Sequence, residues 1–304
     1  MMISVIIATR NRVALLAATL GAIAGQEDAG PFEVLVVDNG STDSTRAMVD
    51  AAARCAPVYY LREDRPGKSY ALNTAAATAR GDLILLTDDD VLPSPGWLAA
   101  FRRAFDETGA GFAAGRILPL WEAPPPPWMS PSLHGVLAIP DGGESRLPLG
   151  PGLNKHIMPI GANMAVRRTL VERVGGWNTS LGKLQGTLRT GEDHEFALRL
   201  IAAGAAGVYE PAALVRHRVP ADRLRRDYFQ RWFHENGAIV ATIERDHPTT
   251  DRYLLNVPRY LWRRALGDAA AAALAVVKRD EKRAAAAEMR LRWFAGYAGE
   301  RWSS

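Results

Sequence analysis

The stretch LILLTDDDVLPSPGW, residues 83–97, sets Asp88, Asp89 and Asp90 side by side directly behind an apolar run. Adjacent carboxylates repel one another, so a fold that keeps them together must bring positive charge to them. A divalent cation can supply it, because Mg2+ and Mn2+ prefer oxygen ligands and are commonly held by one or two carboxylates together with substrate phosphates. A metal and a diphosphate would complete the charge balance. The competing account of three aspartates is a solvated acidic turn. A second acidic cluster, Glu192, Asp193 and Glu195 in GEDHEF, opens a predicted helix. Carboxylates are favoured at a helix N-terminus by the dipole alone, so this cluster does not by itself signal chemistry.

The elements around the first cluster decide between these accounts. SVIIA (4–8), EVLVVD (33–38), VYYLR (58–62) and LILLT (83–87) read as buried strands, and helical patterns separate them over 12–26, up to Ala53, and over 69–79. Strands that are apolar throughout and alternate with helices predict a largely parallel sheet covered on both faces, a doubly wound α/β architecture. Ligands of such sheets lie outside the carboxyl ends of the strands. Those ends carry Thr9, Arg10 and Asn11, then Asp38, then Asp88 to Asp90. Polar groups from three segments thus converge on one crevice, which favours the metal and diphosphate account.

The pattern changes after a predicted helix over 95–105 and a strand near 111–118. A proline- and glycine-rich stretch follows, in which Trp121 and Trp128 flank four prolines. So long a loop is commonly functional, and the two indoles can either stack on a sugar ring or lipid edge or pack the loop onto the body. MPIGANMAVRR (158–168) then reads as a strand entering a helix. GVYEPAALVRHRV supplies short strands ending at His217, and the chain beyond Asp222 reads as helical.

With 304 residues the chain can bury a large core without crosslinks, and its single cysteine, Cys55, cannot pair within the chain, which fits a reducing compartment. The apolar run at the N-terminus is too short for a signal peptide or a membrane span, so a cytoplasmic protein is expected. From Arg216 onward there are 18 Lys and Arg against 11 Asp and Glu, a net of +7, which leaves −3 for the rest of the +4 total. A basic helical tail can rest on an anionic membrane surface, so peripheral contact with the inner face of the cytoplasmic membrane is a further expectation. No nucleic-acid partner is expected.

Five ordered segments, ISVIIATRNR, VVDNGSTDST, GKSYALNTAAATARGDLILLTDDDV, GANMAVRR and GEDHEFALRL, resemble the inverting glycosyltransferase family 2, over residues from about Ile3 to His217. The resemblance implies the GT-A fold, an α/β Rossmann-like mostly parallel sheet flanked by helices, here with a C-terminal helical extension. It implies transfer of a single hexose from a nucleoside-diphosphate sugar, most commonly uridine-linked, to a glycan, lipid-linked or small-molecule acceptor in cell-envelope or polysaccharide assembly, with Mn2+ or Mg2+ as cofactor. Carried over by position, Thr9, Arg10, Asn11, Asp38, Lys68, Asp88 and Asp89 bind the donor nucleotide. Asp90, Asp88 and His217 hold the metal. Asp193 is the general base with Glu192 beside it, and Gly161, Ala162, Asn163 and Trp177 face the sugar or acceptor.

The expected organisation is a transferase domain over 1–220, divided into a nucleotide-sugar half (1–118), the loop (119–157) and an acceptor and catalytic half (158–220), followed by a helical extension over 221–304. YFQRWFHENG contains Gln230, Arg231 and Trp232 without the Gln-X-X-Arg-Trp spacing of processive synthases, in keeping with a one-sugar transferase. Two other readings compete. A sugar-phosphate nucleotidyltransferase would want a glycine-rich phosphate loop after the first strand, where ATRNRVALL has no glycine. A non-catalytic nucleotide-sugar or membrane-surface protein would be expected to lose Asp193 or an acid of the aspartate triplet, and all are present.

Overall fold

The computed structural model describes residues 1–154, 157–182, 188, 190–246 and 248–303; the end of the proline- and glycine-rich stretch, at 155 and 156, lies outside them. The chain divides into two units: Met1–Leu120 with Ala138–Gln185 and Glu192–Arg218, and Trp121–Leu137 with Gly186–Gly191 and Val219–Ser304.

The first unit begins with the predicted alternation. β1 (Ile3–Thr9), β2 (Phe32–Asp38), β3 (Val58–Arg62) and β4 (Leu83–Leu86) pair in parallel in the order β3-β2-β1-β4, and α1 (Val13–Ala24), α2 (Thr45–Ala52) and α3 (Lys68–Thr78) connect them. β1, β2 and β4 are β-branched and leucine-rich and almost wholly buried, whereas β3, at the edge of the sheet, buries only Val58. This suits a sheet covered on both faces. One charge lies deep in it: Glu33 on β2 is buried, accepts from Ser4 Oγ and takes the Arg80 fork at 2.6–2.8 Å.

Beyond β4 the sheet continues with antiparallel strands. β5 (Val91–Pro93), β6 (Phe112–Trp121), β7 (Leu147–Leu149), β8 (Met164–Arg167) and β9 (Gly207–Val219) complete the path β4-β8-β6-β9-β5, with β7 on β9. The strand predicted over 158–168 is confined to β8, since Gly161 to Asn163 form a turn, and the short strands predicted over 207–219 are one strand of 13 residues. Helices α4 (Trp97–Thr108), α5 (Arg168–Val174) and α6 (Glu192–Ala202) complete the unit.

The second unit holds α7 (Arg226–Asp246), α8 (Arg259–Val277) and α9 (Glu281–Ser303), a short hairpin of β10 (Tyr253–Leu254) and β11 (Val257–Pro258), and a 3-10 helix at Pro131–Leu137. α9 packs along both α7 and α8. Gly237 and Gly296 allow the backbones of α7 and α9 to touch, because a Cβ at either would collide with the other helix at Trp293 or His234. The loop expected as one piece over 119–157 is divided, with Trp121–Leu137 in this unit. Its two indoles pack edge-on against neighbours in the same unit, Trp121 on His134 and Trp128 on Phe229. Among the described residues no helix is long and apolar enough to cross a membrane.

Candidate active site

Every residue of the site lies in the first unit. β4 ends at Leu86, and the chain turns through Asp88, Asp89 and Asp90 before entering β5. Thr19 on α1 pins this turn by donating to the carbonyls of Asp89 and Val91 at 3.0 and 2.8 Å. β5 runs antiparallel to β9 with Val91 opposite His217. That register sets the imidazole next to the aspartates.

The aspartates meet different basic groups, with Arg12 shared by two of them. Asp88 accepts from Lys68 Nζ at 2.9 Å. Asp89 accepts from Arg12 Nη1 at 2.9 Å and from Thr9 Oγ1 at 2.7 Å. Asp90 accepts from Arg12 Nη1 at 3.0 Å and faces His217 Nε2 at 3.2 Å. Burial works to raise the Asp88 carboxyl, but Lys68 overrides it and holds it below the ordinary range. At Asp89 burial wins over Arg12, and the carboxyl is raised. Arg12 was not among the residues singled out from the sequence. Its only signal was its place in ATRNR, next to residues that were.

Lys68 links this cluster to the second one. It is the first residue of α3, placed by Gly67, whose φ of +131° opens the helix and whose N–H donates to Asn39. Its ammonium lies 3.7 Å from Glu192 and 3.9 Å from Asp193, which open α6. Burial alone would lower the Lys68 ammonium, yet Asp88, Asp193 and Glu192 outweigh it and hold it well above its ordinary value. Asp193 Oδ2 accepts the backbone N–H of Gly161 at 2.7 Å. A Cβ at Gly161 would stand 2.7 Å from that same oxygen, so any side chain there would displace the carboxylate. Burial raises the Asp193 carboxyl. Burial and the neighbouring Asp193 push Glu192 up to about 7.

Four polar side-chain atoms are buried without a hydrogen-bond partner among the described residues: Glu192 Oε2, Asp193 Oδ1, His217 Nδ1 and Trp177 Nε1. An unsatisfied buried polar group is costly, and three of these four belong to the two clusters. Asp88, Asp90 and His217 each offer one ligand atom, all within 4.8 Å of one another. Two carboxylates and an imidazole suit a divalent cation such as Mn2+, so the residues present fit the group that the aspartates pointed to.

The remaining expected residues are placed as follows. Asp38, at the end of β2, is buried and accepts from Tyr60 Oη at 2.8 Å and from the Ser41 N–H at 2.7 Å. Asn11, at φ +52°, ties the ends of β1 and β2 together, its N–H donating to Ser41 and its side-chain oxygen accepting from the Thr42 N–H. Arg10 is exposed.

The residues expected to face the sugar or acceptor are corrected by the structure. Asn163 is 1% exposed and its amide is committed internally, donating to the carbonyls of Arg116 and Ala213 and accepting from Trp97 Nε1. Ala162 is buried, with its carbonyl accepting from Thr87 Oγ1 at 3.1 Å. Trp177 is 2% exposed and stacks on Phe196 with centroids 4.5 Å apart, so its ring is core and presents no platform. Gly161 is buried and turns its backbone N–H to Asp193. A polar or aromatic residue at a strand end looks the same in sequence whether it turns to the crevice or to the core.

Comparison with known proteins agrees with this geometry. The chain is 30% identical over 215 residues to a pre-mycofactocin glycosyltransferase of Mycobacterium tuberculosis, covering 71% of this chain and 42% of that relative. The chain thus spans less than half the length of that relative. Among solved structures, the mannosyltransferase PcManGT from Pyrobaculum calidifontis, in complex with GDP-Man and Mn2+, superposes with a TM-score of 0.67 at 22% identity, covering 99% of this chain and 87% of that one. Staphylococcus aureus TarS 1-349 in complex with UDP-GlcNAc gives a TM-score of 0.58 at 17% identity, covering 83% and 68%. Both likenesses are of fold. Residues 4–175 match the model of "Glycosyl transferase family 2", and with the aspartate turn, the sheet order and these neighbours in agreement, the chain belongs to that family and has its GT-A fold.

Proposed function

We propose that the chain is a metal-dependent, inverting transferase that moves a single hexose from a nucleoside-diphosphate sugar, uridine-linked, to a hydroxyl of a glycan, lipid-linked or small-molecule acceptor in cell-envelope or polysaccharide assembly. Residues 1–220 carry the reaction and 221–304 form the helical extension. The observation that carries the reading is the pair of carboxylate clusters sharing one ammonium, the first offering a cation site and the second holding carboxylate oxygens that no group among the described residues satisfies.

In this reading Asp88, Asp90 and His217 hold Mn2+ or Mg2+, which when bound stabilises the negative charge that develops on the leaving diphosphate. Thr9, Arg10, Asn11, Asp38 and Asp89 form the nucleotide side of the crevice, and Arg12 fixes Asp89 and Asp90 in place. Lys68 stands between the clusters and adds positive charge on the diphosphate side. Asp193, oriented by the Gly161 N–H, takes the proton of the attacking hydroxyl from the face of the sugar opposite the leaving group. Its raised carboxyl suits that task, since a base works best with a pKa near the operating pH. Glu192 keeps the local charge high and the pair basic.

Calorimetric titration with nucleoside diphosphates and nucleotide sugars, with Mn2+ and with chelator, tests the donor; NMR of the product's anomeric proton tests inversion. Metal-dependent binding of uridine but not guanosine diphosphate is expected. Because PcManGT holds GDP-Man, guanosine preference would overturn the choice of base while leaving the site intact. No nucleotide binding under either condition would overturn the reading.

We further propose that the second unit rests on an anionic membrane surface at the inner face of the cytoplasmic membrane. The outward side of α8 exposes Leu266 (71%), Leu274 (54%), Val276 (69%) and Val277 (80%). Exposed basic residues flank this stretch in the chain, Arg259, Arg263 and Arg264 near the start of α8 and Lys278, Arg279, Lys282 and Arg283 just after its end. An apolar helical face flanked by basic residues matches the boundary between acyl chains and anionic headgroups. Flotation with phosphatidylglycerol vesicles should succeed for the full chain and fail for the double variant Leu274→Glu, Val277→Glu. Flotation unaffected by that variant would exclude this face.

A further inference from the structure

The second unit contains a cavity of about 340 Å3 that the transfer reaction does not use. Its origin lies in the helix packing. α9 packs along α7 and along α8, which leaves a cleft between α7 and α8 with α9 as its floor. The 3-10 helix at Pro131–Leu137 forms a further wall through Leu133 and Val136. Its volume lies at the lower end of the roughly 300–1,000 Å3 typical of small-molecule sites.

The lining has two distinct parts. One is aromatic, with Trp232 and Phe233 from α7 and Trp293 and Phe294 from α9. The other is a set of planar polar groups. Asp268 is 9% exposed, accepts from Arg290 Nε at 2.6 Å and has Arg264 Nε at 4.0 Å. Asn236 accepts from Trp293 Nε1 at 2.9 Å, which fixes that indole. The Arg264 side chain is 59% exposed, so its guanidinium is open to a visitor.

We infer that this cleft binds one or two sugar residues of a glycan, as a carbohydrate site separate from the donor crevice. A sugar ring has an apolar C–H face and a rim of hydroxyls. Indole faces accommodate the first, while guanidinium, carboxylate and amide groups offer donors and acceptors to the second. A purely hydrocarbon ligand would bury the Asp268–Arg290 pair without replacing the hydrogen bonds of water, which is unfavourable. A diphosphate would have to approach the Asp268 carboxylate. A neutral polyhydroxyl ligand meets neither penalty. The inference goes beyond the proposed reaction and does not depend on it.

The test is saturation-transfer NMR on the full chain without nucleotide, using maltose, cellobiose, N,N′-diacetylchitobiose and mannobiose as probes, and decyl phosphate as an amphiphile. At least one disaccharide should receive saturation and keep it when UDP and GDP are added. Its affinity should fall about tenfold in Trp232→Ala, as expected for loss of a ring contact, and also fall in Asp268→Asn. Nucleotide titration and circular dichroism on both variants confirm that they fold. No signal from any disaccharide overturns the inference. So does a signal displaced by nucleotide or unaffected in both variants, because the sugar then lies elsewhere. Saturation of decyl phosphate alone overturns it in favour of an amphiphile site.

Discussion

The two acidic clusters of the first unit are built from the same residue types and stand in opposite electrostatic situations. Asp88, Asp89 and Asp90 are surrounded by Lys68 of α3, Arg12 of the loop after β1 and His217 of β9. Glu192 and Asp193 have Lys68 at 3.7 and 3.9 Å, and each keeps a buried oxygen without a hydrogen-bond partner among the described residues. Lys68 holds Asp88 down, while burial lifts Glu192 and Asp193. Environment thus sets the carboxylates apart: Lys68 favours the ionised form of Asp88, and burial favours the protonated forms of Glu192 and Asp193.

The largest effect should come from breaking the first cluster. Asp90→Ala is expected to abolish Mn2+-dependent nucleotide binding and to reduce transfer by about 10³-fold, the scale of losing a charge-stabilising group at the leaving diphosphate. Retained metal-dependent binding in that variant would remove Asp90 from the cation site. Asp193→Asn should separate the clusters cleanly. It lowers kcat by about 10²–10⁴-fold, the usual contribution of a positioned base, while calorimetry finds nucleotide affinity unchanged; a parallel loss of affinity would show that the two clusters act as one.

A smaller effect, about tenfold in kcat, is expected for Gly161→Ala, because the added methyl displaces Asp193 from its backbone donor and misplacement costs rate. A full-rate Gly161→Ala enzyme would mean that this contact does not orient the base.

The smallest changes are shifts along the pH axis. Transfer should fall on acidification with a limb above the ordinary carboxylate range, reporting Glu192 and Asp193 as a coupled pair. Glu192→Gln removes the negative charge beside Asp193 and should move that limb to lower pH; a limb that stays in place would assign it to another group. Stability follows the same proton. Glu192 is raised from 4.5 in the unfolded chain to about 7 when folded, so the folded state binds more protons between those values and stability declines as pH rises through that window. Relative to wild type, Glu192→Gln should therefore melt at a higher temperature at pH 8 than the comparison at pH 5 gives. A pH-independent difference would contradict the raised carboxyl.

Much of this site was legible because its residues sit at strand ends. Thr9, Asp38 and Asp88 to Asp90 follow apolar runs that can only be buried strands, and parallel strands deliver their carboxyl ends to one edge. Asn163, Ala162 and Trp177 misled for a related reason. The GANMAVRR segment does border the crevice through Gly161, but whether each following side chain turns outward or into the core depends on partners such as Trp97, Thr87 and Phe196, which come from distant segments. Arg12 was missed because an arginine in a loop is ordinarily solvated, and only the turn after β4 brings two carboxylates to it.

The sequence by itself determined the alternation of strands and helices, the parallel half of the sheet and the position of the acidic residues, because local periodicity and strand-end polarity encode them directly. Only the tertiary structure decided that Arg12 reaches both Asp89 and Asp90, that one lysine serves both clusters, and that three helices leave a lined cleft between them. Those are contacts between residues far apart in the chain, set by strand register and helix packing, and no local pattern carries that information.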